Sequence, residues 1–204
     1  MKKEPRTCSE IKRQAIIDAA TLAFKEFGVQ GTSMDKLAEI AQVSKRTVYN
    51  HFATKEALVM HLVTELWEKV LSHTQIDYDP KEDLAVQLSR LIEAEISIMC
   101  SQEYLDIARV VLGHLFYDNK MLAAEIEKLS NQSTGTELWI ADAVADNRLA
   151  VTDIKFASEQ LYSLIKGYFF WPQILGLACN PTRQEQDFFI QETVSMFIAR
   201  YNTN

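Results

Sequence analysis

The sequence predicts an all-α protein. Apolar residues recur every three or four positions along most of its 204 residues, the spacing of amphipathic helices. Glycine and proline, the residues that interrupt helices, number only 6 and 4, and long stretches contain neither. Hydrophobic residues make up 48% and charged residues 24%, ordinary proportions for a globular chain. The length allows one large or two small domains with a substantial core.

Residues 32–55 predict two short helices that meet at a tight turn and lead into a third. Thr32 or Ser33 can cap the first helix, and Ser44 can cap the second. Val48 and Phe52 form the buried pair of the second helix. The apolar stripe of the first helix consists of Met34, Leu37, Ala38 and Ala41.

The outward side of the second helix carries side chains that suit a DNA major groove. Lys and Arg address guanine or phosphate, Asn pairs with adenine, and Thr and Tyr reach phosphates or a thymine methyl. We predict that DNA is contacted by Lys45, Arg46, Thr47, Tyr49, Asn50 and His51, with phosphates held by Ser33, Lys36 and Lys55. From the pattern alone, the alternative is a solvated helix hairpin.

At these residues the chain resembles the DNA-binding domain of the tetracycline-repressor (TetR/AcrR) family of bacterial regulators. The resemblance covers residues 9–27, 28–33, 37–41, 43–52 and 54–58. It implies an N-terminal three-helix helix-turn-helix DNA-binding domain in residues 1–54 and a C-terminal helical ligand-binding and dimerisation domain in residues 55–204. One position departs, because the family often has glycine where this chain has Gln42. A positive φ at a glutamine there costs about 1 kcal/mol.

The charge is divided unevenly along the chain. A net charge of −7 argues at first against a nucleic-acid partner. Residues 1–60, however, contain ten basic and seven acidic residues and carry +3, which leaves −10 for the remainder. This asymmetry lets the basic end face DNA while the acidic end faces away.

The rest of the chain predicts further helices. Their expected ranges are 55–75, 81–99, 103–116, 118–146 with an irregularity at 130–136, a helix that Asp153 opens, and a final helix to the C-terminus. Residues 76–80 and 147–152 are expected to be loops. We interpret Glu93, Glu95 and Glu103 as members of solvated faces.

The last two helices carry two adjacent apolar stripes each. A helix that is apolar over so much of its circumference is expected to be buried on two sides, one of which a partner subunit can cover. The candidate homodimer interface consists of Tyr162, Ile165, Phe169, Phe189, Thr193 and Met196. The alternative is that a single chain buries both sides. Residues 147–149, Asp153 and 160–168 also resemble the AefR-like branch of the family, which implies the same dimer.

Aromatic and methionine side chains are frequent between Trp67 and Trp171, and they predict an apolar effector pocket. The candidate lining residues are Trp67, Met99, Tyr104, Val111, Phe116, Trp139, Tyr168 and Trp171. The alternative is that they form only the hydrophobic core. The resemblance favours the pocket, since members of the family commonly bind an effector in this region, and the composition predicts a small, apolar or aromatic one.

The sequence argues against an enzyme. It contains no phosphate-binding loop, no GxSxG or HExxH motif, and no ligand spacing among its four histidines, so we expect no cofactor and no metal. Cys8, Cys100 and Cys179 fit reduced thiols, with a redox role for Cys100 or Cys179 left open. No apolar run approaches the roughly 20 residues of a membrane helix, and the first residues lack a signal-peptide apolar segment, so we expect a cytoplasmic protein.

Together these features predict a dimeric repressor that leaves a palindromic operator when an effector binds its C-terminal domain and moves the helix beginning at Lys55. One alternative is a DNA-binding factor of the same fold that a protein partner or dimer concentration controls. The other is a helical enzyme or carrier that has lost DNA binding.

Overall fold

The computed structural model describes residues 7–117, 124, 126–129 and 132–203. Among these residues, every secondary-structure element longer than a single bridge is a helix. This confirms the predicted all-α class. The helices are α1 (Cys8–Phe27), α2 (Met34–Ile40), α3 (Lys45–His51), α4 (Lys55–His73), α5 (Leu84–Met99), α6 (Gln102–Tyr117), α7 (Gly135–Ala145), α8 (Ile154–Ile165), α9 (Trp171–Ile174) and α10 (Arg183–Tyr201), with a π-helical segment, Lys166–Phe170, between α8 and α9. Each described helix is too short or too polar to cross a bilayer.

The chain forms two compact units. The head unit comprises Met1–Leu66 and Asp106–Ser130, and the body unit comprises Trp67–Leu105 and Asn131–Asn204. The division falls within α4 and within α6, so each of these helices contributes residues to both units. The functional division at Lys55 that the sequence suggests therefore lies eleven residues before the end of the first compact segment at Leu66.

The head unit is built around α1. A capping box between Thr7 and Glu10 begins this helix, and Gly28, with φ of 69°, ends it. Glycine suits that position because a Cβ atom disfavours positive φ. The core of the unit joins α1 to the following helices through buried residues that include Phe24, Leu37, Val48, Phe52, Leu58, Leu62, Ile107 and Val110.

The α2–α3 turn follows the sequence prediction closely. The hydroxyl of Ser33 accepts a 3.1 Å hydrogen bond from the backbone N–H of Lys36, and that of Ser44 accepts one of 3.1 Å from Thr47. Gln42 has φ of 53°, so it occupies the left-handed region in which the family often places glycine. Local capping and turn chemistry thus define where both helices begin.

The body unit departs from the predicted boundaries at two helix starts. Helix α5 begins at Leu84 rather than Lys81, because the Asp83 carboxylate caps the backbone N–H of Ala85 at 2.8 Å. The preceding loop is held by Arg148, whose guanidinium donates to the carbonyl oxygens of Pro80 at 3.1 Å and Glu82 at 2.8 Å.

The second departure is at α7, which begins at Gly135 behind a capping box formed by Thr134 and Glu137. A Cβ atom at Gly135 would lie 2.0 Å from the carbonyl oxygen of Thr74, so only glycine permits this approach. The predicted irregularity at 130–136 therefore includes a helix start, although residues 130 and 131 themselves lie outside the described part, as do 118–123 of the same predicted segment.

A proline explains the π-helical segment between α8 and α9. Pro172 has no backbone N–H and would clash with a carbonyl in a continuous α-helix. The chain widens instead, and the N–H of Trp171 donates to the carbonyl oxygen of Lys166, five residues earlier. Such π-helical widenings are often found at functional positions.

Candidate functional site

The head unit presents a polar surface on α3. Val48 and Phe52 are 0% and 5% exposed and anchor the helix to the core. On the opposite side, Lys45, Arg46 and Asn50 are exposed and Tyr49 is 53% exposed. Thr47 and His51 are half-buried at the edges of this surface. Four of the six side chains predicted to contact DNA from α3 are therefore exposed, and the other two, Thr47 and His51, are partly accessible.

Three of these predicted contacts already have partners within the chain. The ammonium of Lys45 lies 2.5 Å from the carboxylate of Asp35, which links α3 to α2. The hydroxyl of Thr47 lies 2.8 Å from that of Ser44, and the hydroxyl of Ser33 caps α2. Lys45 is the charged member of these three side chains. The negative charge of Asp35 offsets its positive charge at the surface that is expected to face the DNA phosphates.

The remaining two predicted phosphate contacts also serve the fold. Lys36 places its ammonium 3.0 Å from the centroid of the Phe27 ring, a cation–π contact. Lys55 donates a 2.8 Å hydrogen bond to the carbonyl oxygen of Val29 in the turn after α1. A substitution of either lysine would therefore affect packing as well as charge.

Arg13 supports the end of α3 in a way that sequence spacing did not indicate. Its guanidinium lies 4.9 Å from the ring centroid of Phe52, the residue that ends α3. It also lies within hydrogen-bonding distance of His61 on α4, with Nη1 and Nε2 3.1 Å apart. The contacts join residues that are distant in sequence, so a periodicity argument has no access to them.

In the body unit, the prediction that Glu95 belongs to a solvated face is wrong. Glu95 is 1% exposed. Its carboxylate accepts a 2.7 Å hydrogen bond from the hydroxyl of Tyr162 and a longer one, at 3.4 Å, from the hydroxyl of Thr136. A signal was present in the sequence, because Glu95 lies four residues after Leu91 and three after Ile92, on the apolar stripe of α5.

Burial shifts the ionisation of the groups around Glu95. Burial raises the pKa of Glu95 to about 7, against the hydrogen bonds from Tyr162 and Thr136 and the charge of Lys166. Burial, together with the negative charge of Glu95, raises the pKa of Tyr104 to about 12. The pKa of Tyr162 is raised for the same reasons. These groups form a cluster of titratable side chains inside the body unit.

Lys166 supplies the cation of this cluster. Its ammonium lies 4.9 Å from the centroid of the Tyr162 ring. Burial lowers the pKa of Lys166, and the nearby charge of Glu95 opposes that shift. The lysine stands at the start of the π-helical segment, so the change in helical pitch and the cluster occur at the same place. We call Glu95, Tyr104, Thr136, Tyr162 and Lys166 the Glu95 cluster.

The predicted pocket residues lie in different environments. Met99 and Trp139 are 2% and 1% exposed, and Trp139 donates a 3.2 Å hydrogen bond to Gln87. Tyr168 and Trp171 are 48% and 46% exposed, so they lie at the surface of the chain.

Of the other four predicted pocket residues, Tyr104 belongs to the Glu95 cluster, where its ring lies 5.8 Å from that of Phe170. The indole N–H of Trp67 is buried without a hydrogen-bond partner among the described residues. Val111 belongs to the head unit, and the side chain of Phe116 lies outside the described part.

Several predicted interface residues are buried within one chain, which corrects their assignment. Ile165 and Phe169 are 0% exposed and Thr193 is 5% exposed, so they have no surface to offer a partner. Tyr162 points to Glu95. Of the six, Met196 is 53% exposed, and Phe189 is half-buried with its ring 4.8 Å from that of Phe169. Other large apolar residues of the last helices are exposed instead, with Phe156 at 56%, Leu164 at 39%, Tyr168 at 48% and Phe188 at 65%.

Comparison with known proteins identifies both parts of the chain. Residues 16–62 match the model of bacterial regulatory proteins of the tetR family, and residues 86–203 match the C-terminal domain of AefR-like transcriptional repressors. The HTH-type transcriptional regulator RutR of Escherichia coli strain K12 is 29% identical over 190 residues, which cover 88% of this chain and 84% of RutR.

Solved structures of TetR family regulators share the fold of this chain. A TetR family transcriptional regulator from Pseudomonas syringae pv. tomato DC3000 matches with a TM-score of 0.81 and 34% identity over 94% of this chain and 97% of its own. The flavonoid-responsive regulator FrrA shares the fold, with a TM-score of 0.78 and 24% identity over 95% of this chain and 98% of its own. The chain therefore belongs to the TetR family of DNA-binding transcriptional regulators, and it is not an enzyme.

Proposed function

We propose that this regulator is a dimeric repressor that a small-molecule effector releases from a palindromic operator. The single observation that carries the effector-dependent part is the Glu95 cluster. Burying ionisable groups is costly, yet this cluster holds Glu95, Tyr162 and Lys166 together in the body unit. Perturbed ionisable groups in the interior are more frequent at binding sites than elsewhere.

DNA recognition is assigned to the exposed face of α3. Arg46, Tyr49 and Asn50 have the exposure and chemistry for base and phosphate contact, and Lys45 joins them when its ammonium turns from Asp35 to DNA. Lys36 and Lys55 keep a supporting role, since each also holds a contact of the head unit. The +3 charge of residues 1–60 supports this orientation toward DNA.

Dimerisation is assigned to the exposed apolar stripes of α8 and α10. Phe156, Leu164 and Tyr168 lie on or directly after α8, and Phe188 and Met196 lie on α10. Large apolar side chains on neighbouring helices favour an isologous four-helix contact with a second copy. Two copies would place two α3 helices in successive major grooves, about 34–36 Å apart. Such a regulator would act in the cytoplasm, where its operator is.

The effector is expected to be a small, largely apolar or aromatic molecule with a hydrogen-bond donor for Glu95 and an acceptor for Lys166. Protonated or ionised, Glu95 can accept from such a donor, and the ammonium of Lys166 supplies the complementary charge. The fold accommodates this kind of control, since FrrA is by its name a flavonoid-responsive regulator. The effector releases the operator if it binds more tightly to a conformation of the dimer in which the spacing of the two head units does not fit the operator.

A displacement experiment tests the proposal. The operator is first obtained by selection from random duplexes and labelled, and small aromatic compounds with donor and acceptor groups are screened for its release by fluorescence anisotropy. Glu95→Gln should bind the operator as the wild type does and respond to an active compound at least about tenfold more weakly. Glu103→Gln is the matched control, since Glu103 is exposed and paired with Lys69. An equal response from the Glu95→Gln and wild-type proteins would contradict the assignment of the effector to this cluster.

A further inference from the structure

The head unit contains a cleft between the end of α1 and the middle of α6. Its apolar lining residues are Phe24, Phe27, Val29 and Val110, and its other lining residues are Lys25, Gly28, Gln30, Arg109, Gly113 and His114. The volume is about 530 Å³, within the range of small-molecule sites. All of these residues lie in the head unit, whereas the residues of the Glu95 cluster belong to the body unit. We call it the α1–α6 cleft.

His114 gives this cleft an unsatisfied polar group. The residue is 6% exposed, and its Nδ1 atom is buried with no hydrogen-bond partner among the described residues. A buried polar nitrogen without a partner is unfavourable, and such atoms in folded proteins usually bind a water or a ligand. Because His114 itself lines the cleft, a molecule bound there lies next to the imidazole ring, and a small rotation of the ring would bring the buried Nδ1 atom to it.

Gly113 lines the cleft at a position where the fold has space for a side chain. It lies inside α6, where glycine is destabilising by about 1 kcal/mol relative to alanine. A Cβ atom at Gly113 would meet nothing within 4 Å, so internal packing does not require glycine. The missing side chain leaves the part of the cleft at Gly113, the residue before His114, open.

We propose that the α1–α6 cleft is a small-molecule site for a compact aromatic or alicyclic molecule with one hydroxyl or N–H group that hydrogen-bonds to Nδ1 of His114. The apolar walls would hold the ring system, and the polar group would satisfy the histidine. This site is separate from the effector site proposed in the body unit and does not depend on it.

A ligand there would contact the turn that leads into α2. Val29 forms part of the cleft and also accepts the hydrogen bond from Lys55, the first residue of α4. Occupancy would therefore stiffen the connection between α1 and the DNA-binding helices, a direct route to operator affinity.

The test uses the full chain labelled with 15N and two probes, 2-naphthol and 2-methylnaphthalene, which share a bicyclic aromatic body but differ in the hydroxyl. The side-chain nitrogen signals of the four histidines are followed by NMR during titration, with His114 assigned from the spectrum of His114→Gln. We expect saturable binding of 2-naphthol that shifts the His114 signals, and at least about tenfold weaker binding of 2-methylnaphthalene.

Filling the cleft supplies the second arm. Gly113→Leu should abolish the shift, and Gly167→Leu, at another glycine where a Cβ atom would meet nothing within 4 Å, should retain it. The proposal is overturned if 2-naphthol leaves His114 unshifted, which would indicate that water alone occupies the cleft. It is also overturned if both probes bind equally or if a folded Gly113→Leu protein binds like the wild type.

Discussion

The hydroxyl of Tyr162 on α8 donates a 2.7 Å hydrogen bond to the carboxylate of Glu95 on α5. The contact joins two helices inside the body unit, and it involves an acid that is 1% exposed. Because water cannot solvate the charged form there, the acid keeps its proton to a higher pH than it does in an unfolded chain. The stability of this protein is therefore expected to depend on pH between about 4.5 and 7.

Glu95→Gln should remove this pH dependence. Folding raises the pKa of Glu95 from 4.5 to about 7, so the folded state binds the proton more tightly than the unfolded chain. The free energy of unfolding should thus fall by about 3 kcal/mol as pH rises from about 4.5 to 7, and then level off. Urea unfolding between pH 4.5 and 8 should show a flatter profile for Glu95→Gln than for wild type or the Glu103→Gln control. Parallel profiles would show that Glu95 titrates normally.

Asp35→Asn should strengthen DNA binding. The carboxylate of Asp35 neutralises Lys45, and both side chains are largely exposed, at 57% and 66%. Removing it frees the lysine for phosphate and deletes a repulsive charge, so we expect about two- to fivefold tighter binding at low salt. Fluorescence anisotropy with the selected operator measures the change.

The double variant Asp35→Asn/Lys45→Ala isolates the role of the lysine. If Asp35 acts through Lys45, most of the gain should disappear when Lys45 is absent. A gain of the same size in the presence and absence of Lys45 would leave only the general charge effect, and weaker binding by Asp35→Asn would contradict the account.

Gln42→Gly should stabilise the head unit. Gln42 has φ of 53°, a conformation that glycine adopts without steric strain. Relief of that strain, less the added flexibility of the unfolded chain, should raise the free energy of unfolding by up to about 1 kcal/mol. Gln42→Ala retains the Cβ atom and is the control. If the alanine variant gains as much as the glycine variant in thermal or urea unfolding, strain at this position is not the cause.

Gly135→Ala should destabilise the body unit. Its new methyl group would lie 2.0 Å from the carbonyl oxygen of Thr74, and backbone atoms must move to relieve the overlap. A loss of about 1–3 kcal/mol is expected, as for other overpacked sites. Gly167→Ala, where a Cβ atom has free space, should leave the free energy of unfolding unchanged or higher. Equal effects of the two substitutions would refute the steric explanation.

The head unit was largely predictable because its signals are local. Ser33 and Ser44 cap helices through atoms three residues away, and Val48 and Phe52 lie one turn apart. Such relationships are written in sequence spacing. The support of Phe52 by Arg13 was not predictable in the same way, since that contact depends on how α1, α3 and α4 pack.

In the body unit, sequence periodicity identified the apolar stripes but not their exposure. Phe169 and Tyr168 are neighbours, and the structure buries the first and leaves the second 48% exposed. Choosing between adjacent stripes requires knowledge of which helix packs on which, and α10 packs chiefly on α5. The prediction for Glu95 was wrong because it assumed that an acid among apolar positions lies at the solvent-exposed edge of the apolar stripe. In the structure the acid is buried, and Tyr162 and Thr136 donate hydrogen bonds to it.

The central claim, that the exposed face of α3 reads DNA, is tested most directly by selecting binding sites from random duplexes. Wild-type protein should enrich an inverted repeat whose half-site centres lie one helical turn apart, about 34–36 Å. Asn50→Ala, which alters an exposed side chain of α3, should enrich the same repeat with the preference lost at one position in each half-site. Enrichment of an identical motif by both proteins, or of no motif by the wild type, would contradict the account.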